Sequence, residues 1–305
     1  MNKQERISVS MKKGYETFLA FLLKLTADKK SFQLAGSEID TYVKALGREE
    51  FIQIVKEIGT IPEIIVASST EEKLYSKASD IVLARCFNEI GLKAKAVSER
   101  GNSADIIAES EHGYTLVADA KTFRLSRTAK NQKDFKIATL SKWRGMENDF
   151  AVLVAPYFQY PNTSSQIYSS SLSDKVCLLS WEHMLFLLNQ KVSESISLSL
   201  EQIWNAPTRI ERDSKIAYAD RMNCLFPYVD KMVCDRISIS QIEFKKQLDS
   251  CKSYIIDRSD DEILILKAEI NNIKLYTKEQ AIRELVKSRK LNEKISAILS
   301  YKKSL

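Results

Sequence analysis

Two aspartates and a lysine on neighbouring predicted strands have the side chains needed to hold a metal ion beside a basic group. In the run Val-Ala-Asp-Ala-Lys that ends at Lys121, strand alternation puts Asp119 and Lys121 on one face and the two alanines on the other. Asp105 opens the preceding predicted strand, so a hairpin would bring it beside Asp119. Two carboxylates suit a hard cation such as Mg²⁺. A cation held there can activate a water molecule and neutralise charge on a phosphodiester.

An isolated D-x-K sequence has a simpler interpretation, which is an ion pair on a half-solvated strand. Short motifs of this kind often occur by chance. Three features favour the chemical interpretation here: the strand context, the upstream Asp105, and a strongly basic segment that follows Lys121 directly.

The basic segment concentrates the positive charge of the chain. Residues 121 to 144 hold eight basic side chains and one acidic one, while the whole chain has a net charge of +6, so the remainder is close to neutral. Such a concentration predicts a site for a polyanion. A spacing of three drifts by about 60° per step on an α-helix, which favours a loop that follows a phosphate backbone. Its regularly spaced basic residues are Lys121, Arg124, Arg127, Lys130, Lys133 and Lys136.

Composition excludes several other classes of protein. With 44% hydrophobic residues the chain can bury a core, and its few glycines and prolines favour a helix-rich fold. Five cysteines without C-x-x-C spacing argue against a zinc site or a secreted disulfide scaffold, and so predict a reducing cytoplasm. The polar start MNKQERISVS predicts no signal peptide, and no apolar run is long enough for a membrane span.

Periodicity predicts helices at both ends of the chain and a sheet between them. Ser69 lies three residues before Glu72, which is the spacing of a capping box, and Gly91 would end that helix. Predicted helices cover residues 16–25, 37–45, 48–58, 69–91, 183–190 and 277–299, and predicted strands cover 104–109, 114–123, 149–155 and 176–181.

Several of these segments resemble the HindIII-type type II restriction endonucleases of the PD-(D/E)xK nuclease superfamily. The resemblance is carried by residues 68–78, 117–136, 151–161 and 180–183, and it extends well over about residues 50–205. It implies an α/β restriction-endonuclease-like core with a central mixed sheet flanked by helices. The absence of a Pro/Gly/Ser linker predicts one globular unit. With the resemblance, this unit comprises N-terminal helices at 1–67, the catalytic and DNA-binding core at 68–205, and a helical C-terminal portion at 206–305. Ala104 replaces the usual proline before the first acid.

The resemblance also implies an activity, a cofactor and partners. The chain would be a homodimer that cuts double-stranded DNA at AAGCTT between the two adenines, with Mg²⁺ as cofactor and four-base 5′ overhangs as product. A cognate DNA methyltransferase would belong to the same system. Asp105 and Asp119 would hold the metal with the Ala120 carbonyl, and Lys121 would position the water. The residues that would face the DNA include Asn131, as a candidate adenine reader, with Asp134 and Lys136 nearby.

Two alternatives remain open from the residues alone. The chain could be a non-catalytic DNA-binding protein that uses its acids structurally, or a repair or junction-resolving nuclease with the same metal site. A binding protein has no need for Asp105, Asp119 and Lys121 together, so the sequence favours a nuclease.

Overall fold

The computed structural model describes residues 13–28, 30–97, 104–127, 132–162 and 165–304. By its internal contacts the chain divides into two compact units, Met1–Arg258 and Ser259–Leu305. The boundary lies inside one long helix, Gln241–Lys274. The division at residues 67 and 205 that the resemblance implies stays a prediction.

A five-stranded mixed sheet forms the centre of the first unit. Its spatial order follows the chain order, with β1 and β2 antiparallel, β2 and β3 antiparallel, and β3, β4 and β5 parallel. The strands are β1 (Lys93–Ala96), β2 (Ile106–Glu109), β3 (Thr115–Ala120), β4 (Phe150–Ala155) and β5 (Val176–Ser180). With helices around it, this sheet confirms the predicted α/β fold class.

Helices precede, connect and follow the strands. The helices of the first unit are α1 (Lys13–Ala27), α2 (Phe32–Ala45), α3 (Arg48–Ile58), α4 (Thr70–Glu89), α5 (Gln132–Phe135), α6 (Ile137–Arg144), α7 (Gln166–Asp174), α8 (Trp181–Asn189), α9 (Glu201–Trp204), α10 (Ala206–Arg212) and α11 (Arg221–Arg236). Helix α12 (Gln241–Lys274) crosses the boundary, and α13 (Lys278–Ser288) and α14 (Leu291–Ser304) belong to the second unit.

The three parallel strands are buried on both faces. Every residue of β5, and all but the first residue of β3 and of β4, is buried. Parallel strands need crossover connections, and the helices in those connections cover the sheet. The side chains of β3 therefore alternate between the two faces of the sheet, but one face is not more exposed than the other. Val117 and Asp119 are buried, and so are Ala118 and Ala120.

Helix α4 packs against the sheet and supplies a large part of the core. It begins as predicted at Ser69, whose hydroxyl accepts a hydrogen bond from the Glu72 amide at 3.1 Å. The Glu72 carboxylate accepts from the Ser68 amide at 2.6 Å, one residue earlier than a capping box requires. Gly91 follows the helix with a φ of 94°, and a Cβ there would lie 2.6 Å from the Glu194 backbone nitrogen. Only glycine fits that turn.

Three local predictions differ from the structure. The basic segment is not one extended loop, because residues 132–135 and 137–144 form α5 and α6, where Phe135, Ile137 and Leu140 are buried. The expected terminal helix breaks after residue 288, since Lys290 has a left-handed φ of 50°. Strand β1 escaped prediction because its Lys-Ala alternation has low strand propensity, and pairing with β2 stabilises it.

Among the described helices, none combines the length and the apolar composition needed to cross a bilayer.

Candidate active site

Three aspartates from different elements meet at one edge of the sheet. In the antiparallel ladder Ile106 pairs with Ala118, so Asp105 comes next to Asp119 when the register is continued by one residue. Asp80 reaches the same place from the middle of α4. One carboxylate oxygen from each of the three lies within 4.8 Å of the others. Asp119 is 2% exposed and Asp80 is 7% exposed.

Lys121 follows β3 directly, and both its backbone N–H and its backbone carbonyl are hydrogen-bonded. Its backbone N–H donates to the Val154 carbonyl at 2.7 Å, which continues the parallel pairing with β4. Its carbonyl accepts a hydrogen bond from the Trp181 indole at 3.0 Å. The ammonium group forms a hydrogen-bonded ion pair with the Asp119 carboxylate, and the Lys121 side chain is 14% exposed. The D-x-K sequence thus places its acid and its base in contact.

Burial and mutual repulsion raise the pKa of two carboxyl groups in this cluster. The pKa of Asp80 lies well above its usual range, first because the carboxyl is buried and then because Asp105 and Asp119 place negative charge nearby. Burial also raises the pKa of Asp119, although the Lys121 ammonium opposes that shift. The three carboxyl groups carry more negative charge than the nearby ammonium group can balance. The binding of a cation among them is therefore favourable.

Asp80 is the site residue that the sequence prediction missed. It lies between Ser79 and Ile81 on a helix whose neighbouring positions are buried. An acid within such a run is costly to bury unless it has a partner or a function. That signal was available in the sequence, but only the fold shows that α4 turns this position toward Asp105 and Asp119.

The donor set suits a divalent cation with a preference for oxygen. Three carboxylates within reach of one point are hard anionic ligands of the kind that Mg²⁺ and similar ions prefer. Ala120 follows Asp119 as the last residue of β3, and it pairs with Val154 of β4. The assignment of the Ala120 carbonyl as a further ligand stays a prediction.

An open cleft of about 1560 Å³ leads to the carboxylates. Helices α2 and α4, strand β1 and the end of β3 line it. Exposed lysines surround the acidic floor, and they are Lys44, Lys73, Lys95 and Lys136. We call this feature the cleavage cleft. Acids at its floor and ammonium groups at its rim are suited to a metal ion and a polyanion together.

Two of the predicted DNA-contacting arginines bind other parts of the protein. The Arg124 guanidinium donates to the Glu72 carboxylate at 2.6 Å and to the Pro62 carbonyl at 3.3 Å. Arg127 forms an ion pair with Asp134 and lies over the Phe123 ring, 3.9 Å from its centroid. Their side chains are 14% and 17% exposed, respectively. In this conformation both arginines are bound within the protein, in the segment that follows Lys121.

The remaining predicted DNA contacts divide into two groups. Lys133 and Lys136 are exposed, and Lys136 also lines the cleavage cleft. Lys136 has a left-handed φ of 49° at the start of α6. Lys130 and Asn131 lie outside the described residues. The structure thus brings Asp105, Asp119 and Lys121 together and leaves Lys133 and Lys136 accessible.

The raised pKa of Asp80 predicts a specific pH dependence of stability. Because the folded-state pKa exceeds the unfolded one, the folded protein binds more protons between the two values, and its stability falls as pH rises through that window. The Asp80→Asn variant lacks this destabilisation. Without divalent metal, we expect its free energy of unfolding at neutral pH to exceed that of the parent by on the order of 1 kcal/mol.

Urea denaturation in a chelating buffer at pH 5 and at pH 8 measures this difference. The gap between variant and parent should widen toward pH 8. Asp40→Asn is a matched control, since Asp40 lines the same cleft in an exposed ion pair with Lys44 and should show no such widening. An equal gap at both pH values would show that Asp80 does not bind the extra proton.

The comparisons with known proteins agree with this geometry. The family model of the HindIII restriction endonuclease matches residues 16–302. The type II restriction enzyme HindIII of Haemophilus influenzae is 42% identical over 295 residues, which cover 96% of this chain and 97% of that protein. The chain belongs to the HindIII restriction endonuclease family. The match therefore reaches far beyond the residues 50–205 that the sequence motifs suggested.

Family membership decides between the alternatives that the residues left open. A type II restriction enzyme is a site-specific deoxyribonuclease that acts on double-stranded DNA, and it needs a divalent metal. A purely DNA-binding protein and a repair nuclease are set aside. In this chain Asp80, Asp105 and Asp119 are close enough together to hold one metal ion, and Lys121 forms an ion pair with Asp119.

Proposed function

We propose that the protein cuts both strands of DNA at AAGCTT, between the two adenines, as a Mg²⁺-dependent homodimer. The observation that carries this proposal is the cluster of Asp80, Asp105 and Asp119 beside Lys121 in a chain of the HindIII family. The site sequence is carried over from the resemblance of the motif segments, of which residues 117–136 are the longest.

Asp105, Asp119 and the Ala120 carbonyl would hold the metal, and Asp80 lies close enough to be a third carboxylate ligand. When bound, Mg²⁺ supplies a water of lowered pKa and positive charge against the phosphodiester. Mg²⁺ is favoured among divalent ions because it binds carboxylates while keeping water ligands and substrate phosphate oxygens.

Lys121 contributes a positive charge whose place is fixed by backbone bonds. Its carbonyl and N–H are held by Trp181 and Val154, so the side chain starts from a rigid point. From there the ammonium group can orient the attacking water and stabilise the charge that develops on the phosphate oxygens. Its ion pair with Asp119 keeps it at the metal side of the cleavage cleft.

A palindromic site explains the proposed dimer. Two copies related by a two-fold axis would present the same surface to each half-site and one cleavage centre to each strand. Asn131 is proposed to read an adenine, with Asp134 and Lys136 close to the DNA. A cognate methyltransferase would protect the host DNA, without binding this protein.

Cleavage of defined duplexes tests the proposal. We expect a duplex with one AAGCTT site to be cut with Mg²⁺ into two fragments with four-base 5′ overhangs. A matched duplex with one base pair of the site exchanged should be cut at least about a hundredfold more slowly. Efficient cutting at another sequence would contradict the proposed specificity, and cutting of branched DNA alone would contradict the restriction function.

Salt dependence tests which basic residues contact phosphates. Lys133 and Lys136 are exposed, whereas Arg124 and Arg127 are bound within the protein. Replacing both lysines by Gln should flatten the slope of log affinity against log salt by about two units, because each phosphate contact releases about one counterion. An unchanged slope would place Lys133 and Lys136 away from the DNA. Lys142→Gln, an exposed change on α6 outside the cleavage cleft, is the control.

A further inference from the structure

The backbone carbonyl of Lys121 lies where the pairing of β3 with β4 ends. The Lys121 N–H still donates to the Val154 carbonyl at 2.7 Å. One step further in the parallel pattern, the Lys121 carbonyl would accept a hydrogen bond from the N–H of residue 156. That residue is Pro156, which has no N–H to donate. The sheet therefore cannot hold this carbonyl, and the donor must come from another element.

The indole of Trp181 is that donor. Its N–H donates to the Lys121 carbonyl at 3.0 Å, and Trp181 is buried as the first residue of α8. The carboxylate of the next residue, Glu182, accepts a hydrogen bond from the Tyr157 N–H at 2.9 Å, directly after the same proline. The start of α8 thus satisfies backbone groups at the ends of both β3 and β4.

Gly59 leaves the space that this indole occupies. Gly59 follows α3 with a φ of −62°, which any residue can adopt, so the backbone conformation does not require a glycine here. A Cβ at this position would lie 2.7 Å from Cδ1 of Trp181 and 3.3 Å from Cγ of Pro156. Contacts of this length force one of the neighbours to move. A side chain at residue 59 would therefore push the indole away from the Lys121 carbonyl.

We propose that Trp181 is a positioning residue for DNA cleavage, and that Gly59 allows it to act. Trp181 acts through Lys121, because it fixes the main chain from which the ammonium group reaches the Asp119 carboxylate. A displacement of about 1 Å at a reacting group can cost about a hundredfold in rate. One buried hydrogen bond can therefore matter more for cleavage than for folding. The inference rests on the proposed function, in which Lys121 orients the attacking water.

The Trp181→Phe variant separates positioning from DNA binding. Phenylalanine keeps an aromatic ring in the buried space but has no N–H to donate. We expect the single-turnover rate at saturating Mg²⁺ and duplex to fall at least about tenfold. The dissociation constant for the duplex should stay within about threefold of the parent, because no charge changes. A Trp181→Phe protein that cuts at the parent rate would overturn the proposal.

Trp204→Phe is the matched control for the loss of a buried indole. The Trp204 N–H donates to the Tyr114 hydroxyl at 2.9 Å, and Trp204 is 1% exposed. Tyr114 directly precedes β3, so this contact lies at the opposite end of the strand from Lys121. We expect a similar loss of stability in urea and a single-turnover rate within about threefold of the parent. An equal loss of rate in both variants would show that Trp181 acts only by stabilising the fold.

Gly59→Ala tests the second half of the proposal. We expect cleavage to slow at least about tenfold, and we expect little further loss when Gly59→Ala is added to Trp181→Phe, because both remove the same hydrogen bond. Gly47→Ala, at the other end of α3, is the control, since a Cβ there would have its nearest neighbour at 3.7 Å. Rate losses that multiply in the double variant would show that Gly59 acts by another route.

Hydrogen exchange of the Trp181 indole measures the same contact without any cleavage. In the metal-free protein, the indole N–H signal should exchange with D₂O at least about tenfold faster in Gly59→Ala than in the parent, because the hydrogen bond that protects it is lost. Gly47→Ala should leave the exchange rate unchanged. Equal protection in all three proteins would show that the indole keeps its bond to Lys121 and that Gly59 is not needed for it.

An isosteric analogue and the Lys121→Ala variant complete the test. Benzothienylalanine at position 181 replaces the indole N–H by sulfur and keeps the shape of the ring, so it tests the donor even if Trp181→Phe fails to fold. We expect the same loss of rate as for Trp181→Phe. If the analogue cuts like the parent while Lys121→Ala does not cut, the positioning role is wrong and the proposed function stands. If Lys121→Ala cuts like the parent, both are wrong.

Discussion

The Asp119→Asn variant will bind its DNA site and cut it at least about a thousandfold more slowly than the parent. Asp119 is 2% exposed near the end of β3, and one of its carboxylate oxygens lies within 4.8 Å of one oxygen from Asp80 and one from Asp105. The change keeps the shape of the side chain but removes one anionic ligand, so Mg²⁺ should bind poorly. The lysines of the cleavage cleft are unaltered. Binding should survive, and without metal it should tighten because less negative charge faces the phosphate.

Single-turnover cleavage and fluorescence anisotropy, measured on the same duplex, separate the two effects. Asp40→Asn is the control, because it removes a carboxylate from the same cleft in an exposed ion pair. Its cleavage rate should stay within a few-fold of the parent, since exposed pairs contribute little. A variant of Asp119 that cuts at the parent rate would contradict the metal assignment. A folded variant that neither cuts nor binds would show that Asp119 acts through structure.

The Lys121→Ala variant will also lose cleavage, by about two to four orders of magnitude, but it will bind DNA more weakly than Asp119→Asn. The ammonium group is the ion-pair partner of Asp119 and opposes the burial that raises the pKa of that carboxyl. Without it the three aspartates repel one another and the phosphate. Metal should still bind, because all three carboxylates remain.

Metal titration and DNA binding, followed side by side, check this difference. Lys142→Ala is the matched control, since it removes one positive charge from the same basic segment at an exposed position outside the cleavage cleft. The control should weaken DNA binding slightly and leave the single-turnover rate unchanged. If Lys121→Ala cuts as fast as Lys142→Ala, then Lys121 only balances charge and takes no part in the reaction.

The pairing of Asp105 with Asp119 could be predicted because it depends on local order. A turn at Gly113, with a φ of 84°, connects β2 and β3, and an antiparallel ladder fixes which residues lie opposite. The capping residues Ser69 and Thr277 were equally predictable, since their partners lie three residues away. Contacts of this range follow from spacing alone.

Contacts between distant elements could not be predicted in the same way. Asp80 joins the site only because α4 packs across the sheet at one rotation about its axis. Arg124 pairs with Glu72, 52 residues earlier, so a residue predicted for DNA is bound within the protein. A one-dimensional charge pattern shows where positive charge concentrates. It does not show which of the charges the fold neutralises.

The most direct test of the account is to locate the metal. Crystals of the protein with its duplex, soaked in Mn²⁺ as an anomalous scatterer that takes the same oxygen ligands, would place the ion. We expect an anomalous peak within about 2.2 Å of carboxylate oxygens of Asp105 and Asp119, as for an ion of this class, and no peak there in crystals of Asp119→Asn. A parent that cuts its duplex in the crystal while the only peaks lie away from these aspartates would contradict the central claim.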